Sequence, residues 1–282
     1  MPELPEVQTV INTLKTSGLL NKIIIKTNVY RPKILKNCNP IQFNKFMVHE
    51  KFINIERIGK YLIFHLSNKK ILAIHLRMEG KLFYEPLQIQ YKKQHLRIEM
   101  LLNNHHVLRF YDSRMFGTFD IYKNDDYLKA KSIKKLALDP LNSKFTWQYL
   151  KNQILKSNRA LKTTLLDQTL VSGIGNIYAD EILFLCKLNP LIRPKALNNQ
   201  DYKNIVKFAK KVLLKAIKYG GTTVSSYQST INHSGRYQNI LYVHARNGEH
   251  CKVCNTIIKK IKVNGRGTCF CPKCQHLQGE TC

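Results

Sequence analysis

Near the end of the chain, Cys251-x-x-Cys254 is followed after sixteen residues by Cys271-x-x-Cys274. No other feature limits the local fold so tightly. Each C-x-x-C turn aims two thiolates at one point, and two such turns complete a tetrahedral shell of the kind zinc prefers. Four cysteine ligands leave no open coordination position, so the predicted cofactor is one structural Zn2+ held by Cys251, Cys254, Cys271 and Cys274. Cys269 lies two residues before Cys271 in a segment that alternates faces as a strand, and it is left outside the set. Segments 257–263 and 268–270 flank Asn264-Gly265-Arg266-Gly267. Asn-Gly is a strong tight-turn signal, so the insert reads as a β-hairpin with Arg266 at its tip. A tail this short cannot enclose a core and needs metal to fold.

The rest of the chain is long enough for a core. Its 282 residues, 44% hydrophobic and 10% aromatic, describe a globular protein of more than one module. Lys and Arg number 46 against 18 Asp and Glu, a net charge of +28. That surplus favours a polyanionic partner, either nucleic acid or an anionic membrane face. Lys, Ile and Asn are abundant throughout, as in a chain encoded by an AT-rich genome, so part of the charge belongs to ordinary solvated faces. Apolar runs such as 23–25 and 182–186 fall far short of the roughly 20 residues of a spanning helix, so no membrane partner is expected. Two acids and two prolines at the start do not resemble a signal peptide. Four of the eight cysteines sit in C-x-x-C pairs, which points to metal in a reducing compartment, and the expected location is cytoplasmic.

The periodicity predicts an α+β chain. Val7, Val10, Ile11 and Leu14 recur at helical spacing, with Gly18 as the stop. From about 22 to 122 the pattern becomes short apolar runs (22–30, 52–66, 71–76, 95–102 and 107–111) separated by polar or Gly/Pro breaks. Strands without intervening helices predict an antiparallel sandwich or barrel. After Asp139-Pro140 the period turns helical over 145–156, 162–166, 176–185 and 201–219, the last stopped by Gly220-Gly221. A polar loop over 222–238 then leads to the cysteines.

The start of the chain is itself a candidate reactive site. In Met1-Pro2-Glu3-Leu4-Pro5-Glu6, removal of Met1 exposes the secondary amine of Pro2 with Glu3 beside it. An α-amine has a pKa of about 7.7–8.0, so a neutral fraction exists near pH 7. Attack by a secondary amine on a carbonyl-level carbon yields an iminium cation directly, which is an electron sink. Glu3 can shuttle protons if burial raises its pKa. Pro and Glu at a helix start are also ordinary capping chemistry, and this segment alone leaves both readings open.

Taken together, the motifs resemble bacterial formamidopyrimidine-DNA glycosylases from end to end. They are Pro2-Glu3-Leu4-Pro5-Glu6-Val7, Gly59-Lys60-Tyr61-Leu62, His75-Leu76-Arg77-Met78 and Asp112-Ser113-Arg114-Met115-Phe116-Gly117. Leu165-Leu166-Asp167-Gln168, then Gly173-Ile174-Gly175-Asn176-Ile177-Tyr178-Ala179-Asp180-Glu181 and Gly265-Arg266-Gly267-Thr268 follow in order. The resemblance implies an N-terminal antiparallel β-sandwich catalytic domain over 1–130. A helix–two-turn–helix DNA-binding domain over 131–236 and a zinc finger over 237–282 follow, with DNA between the halves. The implied partner is double-stranded DNA containing oxidised purines or abasic sites, the implied state a monomer, and the implied location the nucleoid. The implied activity is excision of 8-oxoguanine and formamidopyrimidines, then cleavage of the abasic strand by β- and δ-elimination.

The resemblance also assigns roles. Pro2 is the nucleophile, Glu3 the proton shuttle, Lys60 the proton donor in β-elimination, with its ammonium fixed by a strand, and Arg266 serves δ-elimination. A base inside a stacked duplex must be extruded, and something must fill the gap. Met78, Arg114 and Phe116 match the wedge, two apolar groups replacing the stacking and a guanidinium reading the opposite base. His95, Arg114 and Asn176 match backbone contacts, Asn176 at a helix start where free N–H groups favour phosphate. Arg159 matches a phosphate contact, and Lys162 and Tyr237 match contacts with the lesion nucleotide.

Three positions depart from the family pattern. Only Arg159 is charged in Ser157-Asn158-Arg159, Ser113 stands where Pro is frequent and should loosen its loop, and Glu79 puts an acid near DNA. Two rival readings remain at this point. Endonuclease VIII, the related enzyme for oxidised pyrimidines, shares the Pro-Glu start, the helical element and the finger. Leu4-Pro5 with Met78, Arg114 and Phe116 fits the purine branch better. A non-catalytic zinc protein that binds nucleic acid would need neither a free Pro2 amine nor Lys60 and Arg266.

Overall fold

A computed structural model of the chain describes residues 1–89, 93–222 and 235–276. The chain divides into two compact units, residues 1–134 with 219–236, and residues 135–218 with 237–282.

The first unit opens with α1 (Leu4–Thr16), whose start is a capping box between Glu3 and Glu6 with Pro5 in the first turn. Leu4, Val7, Val10, Ile11 and Leu14 form its buried stripe. β1 (Ile24–Val29) leads to α2 (Pro40–Met47), an eight-residue helix the periodicity did not announce. Its signal is at its cap instead: the Asn39 side chain accepts from the Gln42 N–H while Gln42 returns the bond, with Pro40 at the first position.

The expected run over 52–66 is two strands, β2 (Phe52–Ile58) and β3 (Tyr61–Leu66), paired Ile58 to Tyr61 across a two-residue turn. Lys60 therefore sits in the turn at Gly59-Lys60 and not on a strand, which corrects the expectation above. β4 (Lys70–His75), β5 (Lys81–Pro86), β6 (Leu96–Leu102), β7 (His106–Tyr111) and β8 (Thr118–Lys123) complete two four-stranded antiparallel sheets. Their orders are β1-β6-β7-β5 and β2-β3-β4-β8. Both inner faces contribute to one apolar cluster, with Phe52, Phe64, Leu72 and Phe119 from one sheet and Ile98, Met100, Leu108 and Phe110 from the other. This is the sandwich arrangement expected of half-buried antiparallel strands. Two short turns of helix, α3 (Asp126–Lys129) and α4 (Lys131–Lys134), close the unit.

The second unit is helical. α5 (Trp147–Ile154) is capped by the Thr146 hydroxyl, and α6 (Leu161–Leu166) and α7 (Asn176–Leu185) follow. α8 (Asn199–Lys218) packs Tyr202, Ile205, Ala209, Val212, Leu213 and Ala216 inward. β9 (Lys259–Val263) and β10 (Arg266–Phe270) form the predicted hairpin. Its turn is Asn264-Gly265, both at positive φ (44° and 78°), the twist a two-residue hairpin prefers. Arg266 is the first residue of β10 and pairs with Val263, one step past the tip where it was expected. Among the described residues no helix is long and apolar enough to cross a membrane. Most of the polar loop expected over 222–238 lies outside the described residues.

Candidate active site and metal centre

In the first unit the start of the chain is enclosed. Pro2 and Glu3 are buried and Met1 is exposed. The Glu3 N–H donates to Glu6 Oε2 at 2.8 Å. The other oxygen of Glu6 accepts from Thr222 N at 2.8 Å and from the Thr222 hydroxyl at 3.1 Å. A Cβ on Gly221 would stand 2.7 Å from Glu6 Oε1, so the backbone at 221 approaches as closely as a glycine allows. Glu6 is thus the anchor that fixes both the chain start and the 221–222 segment. The i, i+3 spacing of Glu3 and Glu6 is the sequence signal for this anchor.

Lys60 is also buried, 5% exposed, and its ammonium lies near enough to His75 to oppose protonation there. Burial first, then Arg77 and Lys60, pushes the His75 pKa down to about 3. A neutral imidazole results, whose Nδ1 accepts from the Arg77 N–H at 3.0 Å while Tyr61 packs edge-on at 4.6 Å.

Two loops hold the residues matched to the wedge. Met78 (36% exposed) is in one, Arg114 and Phe116 (51% exposed) in the other, with the Arg114 guanidinium 4.9 Å from the Phe116 ring centre. Exposed apolar side chains beside a cation suit insertion into a base stack. Asp112, 1% exposed, shapes the second loop by accepting from Arg114 N (3.0 Å) and Gly117 N (2.7 Å). Both loops are seated on Phe110: a Cβ at either Gly80 or Gly117 would collide with its ring. The Ser113 hydroxyl donates to the Glu79 carboxylate, linking the loops. That bond supplies a local reason for Glu79 and opposes the loosening expected of Ser113. His95, half-buried, ends a short 3-10 turn, and its carbonyl accepts from Asp112 N at 2.9 Å.

In the second unit, Asn176 opens α7 after Gly175, as expected, but its amide donates to the Gly267 carbonyl at 3.1 Å. Arg159 is exposed and ion-paired with Asp167 at 2.7 Å. Tyr237 is 3% exposed and packs 5.8 Å from Tyr178, and burial pushes its hydroxyl pKa up. Lys162 is fully buried, where a contact with the lesion nucleotide was expected. Its ammonium meets Asp180 at 2.7 Å, Thr268 Oγ1 at 2.8 Å and the Gly267 carbonyl at 3.0 Å. The charge of Asp180 draws it inward, and Asp180 in turn meets His244 Nδ1 at 2.7 Å. Glu181 accepts from the N–H groups of Tyr242, Val243 and His244 at 2.8–2.9 Å. Burial pushes its pKa up, and those three donors offset only part of the rise. Arg266 is exposed on β10.

The sulfur atoms of Cys251, Cys254, Cys271 and Cys274 lie within 4.8 Å of one another. Cys251 and Cys274 are 4.0 Å apart and Cys254 and Cys271 3.4 Å, bracketing the edge of about 3.8 Å that four 2.3 Å Zn–S bonds require. Thr256 stabilises the Cys254 thiolate and lowers that thiol's pKa to about 6. The quartet fits one structural zinc. Cys269 is not in it; residues two apart on a strand share a face, so alternation does not supply the reason, and β10 ends at Phe270 before Cys271. The Cys269 N–H points instead to Asp180 Oδ2 at 3.3 Å.

Residues 1–119 match the family model of the formamidopyrimidine-DNA glycosylase N-terminal domain, and 136–228 match that of its H2TH domain. Residues 248–277 match the zinc finger found in FPG and IleRS. These three modules in this order define a DNA-repair glycosylase that carries a structural zinc. The formamidopyrimidine-DNA glycosylase of Ureaplasma parvum is 49% identical over 98% of this chain and 100% of that relative, and the Mycoplasma pneumoniae protein is 46% identical over 98% and 99%. Among solved structures, Lactococcus lactis Fpg with abasic-site DNA superposes with a TM-score of 0.91 at 36% identity, covering 98% of this chain and 100% of that one. The same protein with DNA containing N7-benzyl-Fapy-dG gives the same figures. The chain belongs to the formamidopyrimidine-DNA glycosylase family.

Proposed function

We propose that this glycosylase removes 8-oxoguanine and formamidopyrimidines from duplex DNA and then cuts the abasic strand, with the Pro2 amine as nucleophile. The enclosed chain start supports this most directly: Pro2 and Glu3 are buried on a helix whose Glu6 is held from both sides. An exposed, merely capping terminus would not need that enclosure.

Once Met1 is removed, the Pro2 nitrogen forms a bond to C1′ and the bond from C1′ to the base breaks, the base leaving with a proton. Ring opening gives an iminium at C1′ and a hydroxyl at C4′, and Glu3 carries the protons these steps exchange. The iminium acidifies the C2′ hydrogen, so loss of that proton expels the 3′ phosphate. A further proton loss along the conjugated chain expels the 5′ phosphate. Lys60, whose buried ammonium is fixed in a tight turn, serves the first elimination, and Arg266 serves the second. The neutral His75 beside Lys60 adds no competing positive charge.

Met78, Phe116 and Arg114 fill the space of the extruded nucleotide, with His95, Asn176 and Arg159 on the phosphates. Lys162 and Tyr237, which the resemblance matched to the lesion nucleotide, are enclosed within the second unit and are not assigned a DNA contact. Abasic-site and oxidised-purine duplexes are the proposed partners. The domain limits 1–130, 131–236 and 237–282 and a cytoplasmic, nucleoid-associated monomer belong to the same reading.

Pro2→Gly tests it. Excision and strand cutting should fall by at least about a hundredfold, the scale of losing a covalent route, while affinity for an abasic-site duplex stays within a few-fold. Full cutting by the variant would refute the role of Pro2. Preference for thymine glycol over 8-oxoguanine duplexes would favour the endonuclease VIII alternative.

A further inference from the structure

α7 reads Asn-Ile-Tyr-Ala-Asp-Glu-Ile-Leu-Phe-Leu, and in the middle of this apolar run Asp180 and Glu181 are 1% and 0% exposed. Two adjacent buried acids need partners. Those of Glu181 are the three consecutive amides of 242–244, a local clamp on one loop. Asp180 does something else. One oxygen pairs with the Lys162 ammonium, and the other takes His244 Nδ1 and the Cys269 N–H. Lys162 passes the connection on to the Thr268 hydroxyl and the Gly267 carbonyl. Three successive residues of β10, Gly267, Thr268 and Cys269, are therefore held by one carboxylate, two of them through a single ammonium.

Arg266 immediately precedes them. Its side chain is exposed, and its backbone place is set by its pairing with Val263 and by the Thr268 hydroxyl on its carbonyl at 3.1 Å. The zinc site lies farther off. Cys271 is five residues along, about 17 Å in extended chain, so the metal fixes the base of the hairpin and leaves its far end to other forces. The Gly267 carbonyl also receives the Asn176 amide, which joins the first residue of α7 to the same point.

We propose that Asp180 is a positioning residue for Arg266. Through Lys162 it fixes the strand that presents the guanidinium, and so it sets how much of the first-elimination product goes on to lose the second phosphate. The proposal rests on the reading of Arg266 given above. Its physical basis is the asymmetry of a buried ion pair. Without Asp180, a fully buried ammonium loses the carboxylate that it meets at 2.7 Å. It must then take up water, lose its proton or swing outward, and each response releases the bonds to Gly267 and Thr268.

The test uses the full chain with Met1 removed and zinc bound. Three quantities are measured: the share of second-elimination product from a preformed abasic duplex, hydrogen exchange of the amides of 266–270, and zinc per chain. Asp180→Ala should exchange those amides at least about tenfold faster. Its second-elimination share should fall toward that of Arg266→Gln, with one zinc retained. Asp180→Asn, which keeps an acceptor but not the charge, should fall between. Adding Lys162→Met to Asp180→Ala removes the stranded charge and should restore part of the protection.

Parental exchange and parental product share in Asp180→Ala would overturn the proposal. So would a fall in product that follows loss of zinc, because the effect would then run through the metal site. If Arg266→Gln itself keeps the parental share, it is the reading of Arg266 that fails. Faster exchange in Asp180→Ala would still show Asp180 holding the strand.

Discussion

The two units hold their proposed reactive groups by different means. In the first, Pro2, Glu3 and Lys60 sit at the margin of a large apolar core built from both sheets and α1. Local hydrogen bonding sets the final positions: a capping box, the Thr222 contacts to Glu6, and a tight turn. In the second, the strand bearing Arg266 belongs to a hairpin whose apolar cluster is small: Phe184, Val243, Cys251, Ile258, Cys269 and Cys271. That cluster cannot hold a strand by itself, and a metal site at one end and a buried charge cluster in the middle make up the difference. The lesson is that the cheapest way to fix a residue depends on how much apolar surface surrounds it. Beside the rich core the proposed groups are held by caps and a turn, whereas on the thin cluster they are held by metal and paired charge.

Removing the metal should break this contrast most severely. Structural zinc in small modules contributes about 10–16 kcal/mol. Chelation, or Cys251→Ser, should therefore unfold the hairpin while the first unit keeps its sheets. Near-parental β-sheet circular dichroism together with lost protection over 259–271 is the expected pair of readings. Collapse of both units would deny their independence.

Glu6→Ala should come next. It strands the Glu3 N–H, the Thr222 N–H and the Thr222 hydroxyl, each worth about 1–3 kcal/mol when buried without a partner. A loss of several kcal/mol in urea unfolding is expected, with excision falling more steeply than binding because the Glu3 N–H that Glu6 holds adjoins Pro2, the proposed nucleophile. Excision unchanged in a destabilised protein would separate Glu6 from the reaction.

The smallest expected effect is the acid response of His75. Its folded pKa of about 3 lies below the unfolded value of about 6.5. Between these values the unfolded state binds the extra proton, so stability is full above about pH 6.5 and falls as pH drops toward 3. The slope is about 1.4 kcal/mol per pH unit. His75→Gln, which can still accept from Arg77, should flatten that dependence between pH 6.5 and 4.5. Parallel curves for parent and variant would show that another group carries it.

Much of this arrangement was legible in the residues. The cysteine quartet and the Asn-Gly turn act locally, so spacing alone located the metal site and its hairpin. Short apolar runs found β1, β4, β6 and β7, and helical period found α1, α5, α6, α7 and α8. Other elements escaped. α2 depends on a cap at Asn39, while β5 and β8 are stabilised by strands far away in sequence. Lys60 was placed on a strand because 52–66 reads as one run rich in Ile, Leu and aromatics, and only the Ile58–Tyr61 pairing reveals the turn. Asp180 and Lys162 were the least legible. Their bonds run to Gly267 and Thr268 from Lys162 and to Cys269 from Asp180, about a hundred residues on, and no local pattern encodes a charge cluster assembled over that separation.

Borohydride trapping on an 8-oxoguanine duplex, followed by mass spectrometry of the cross-linked peptide, tests the central claim most directly. The expected product is a reduced adduct joining C1′ of the lesion nucleotide to the Pro2 nitrogen of chains that have lost Met1. No adduct from active, processed protein, or one on a lysine such as Lys60, would contradict it.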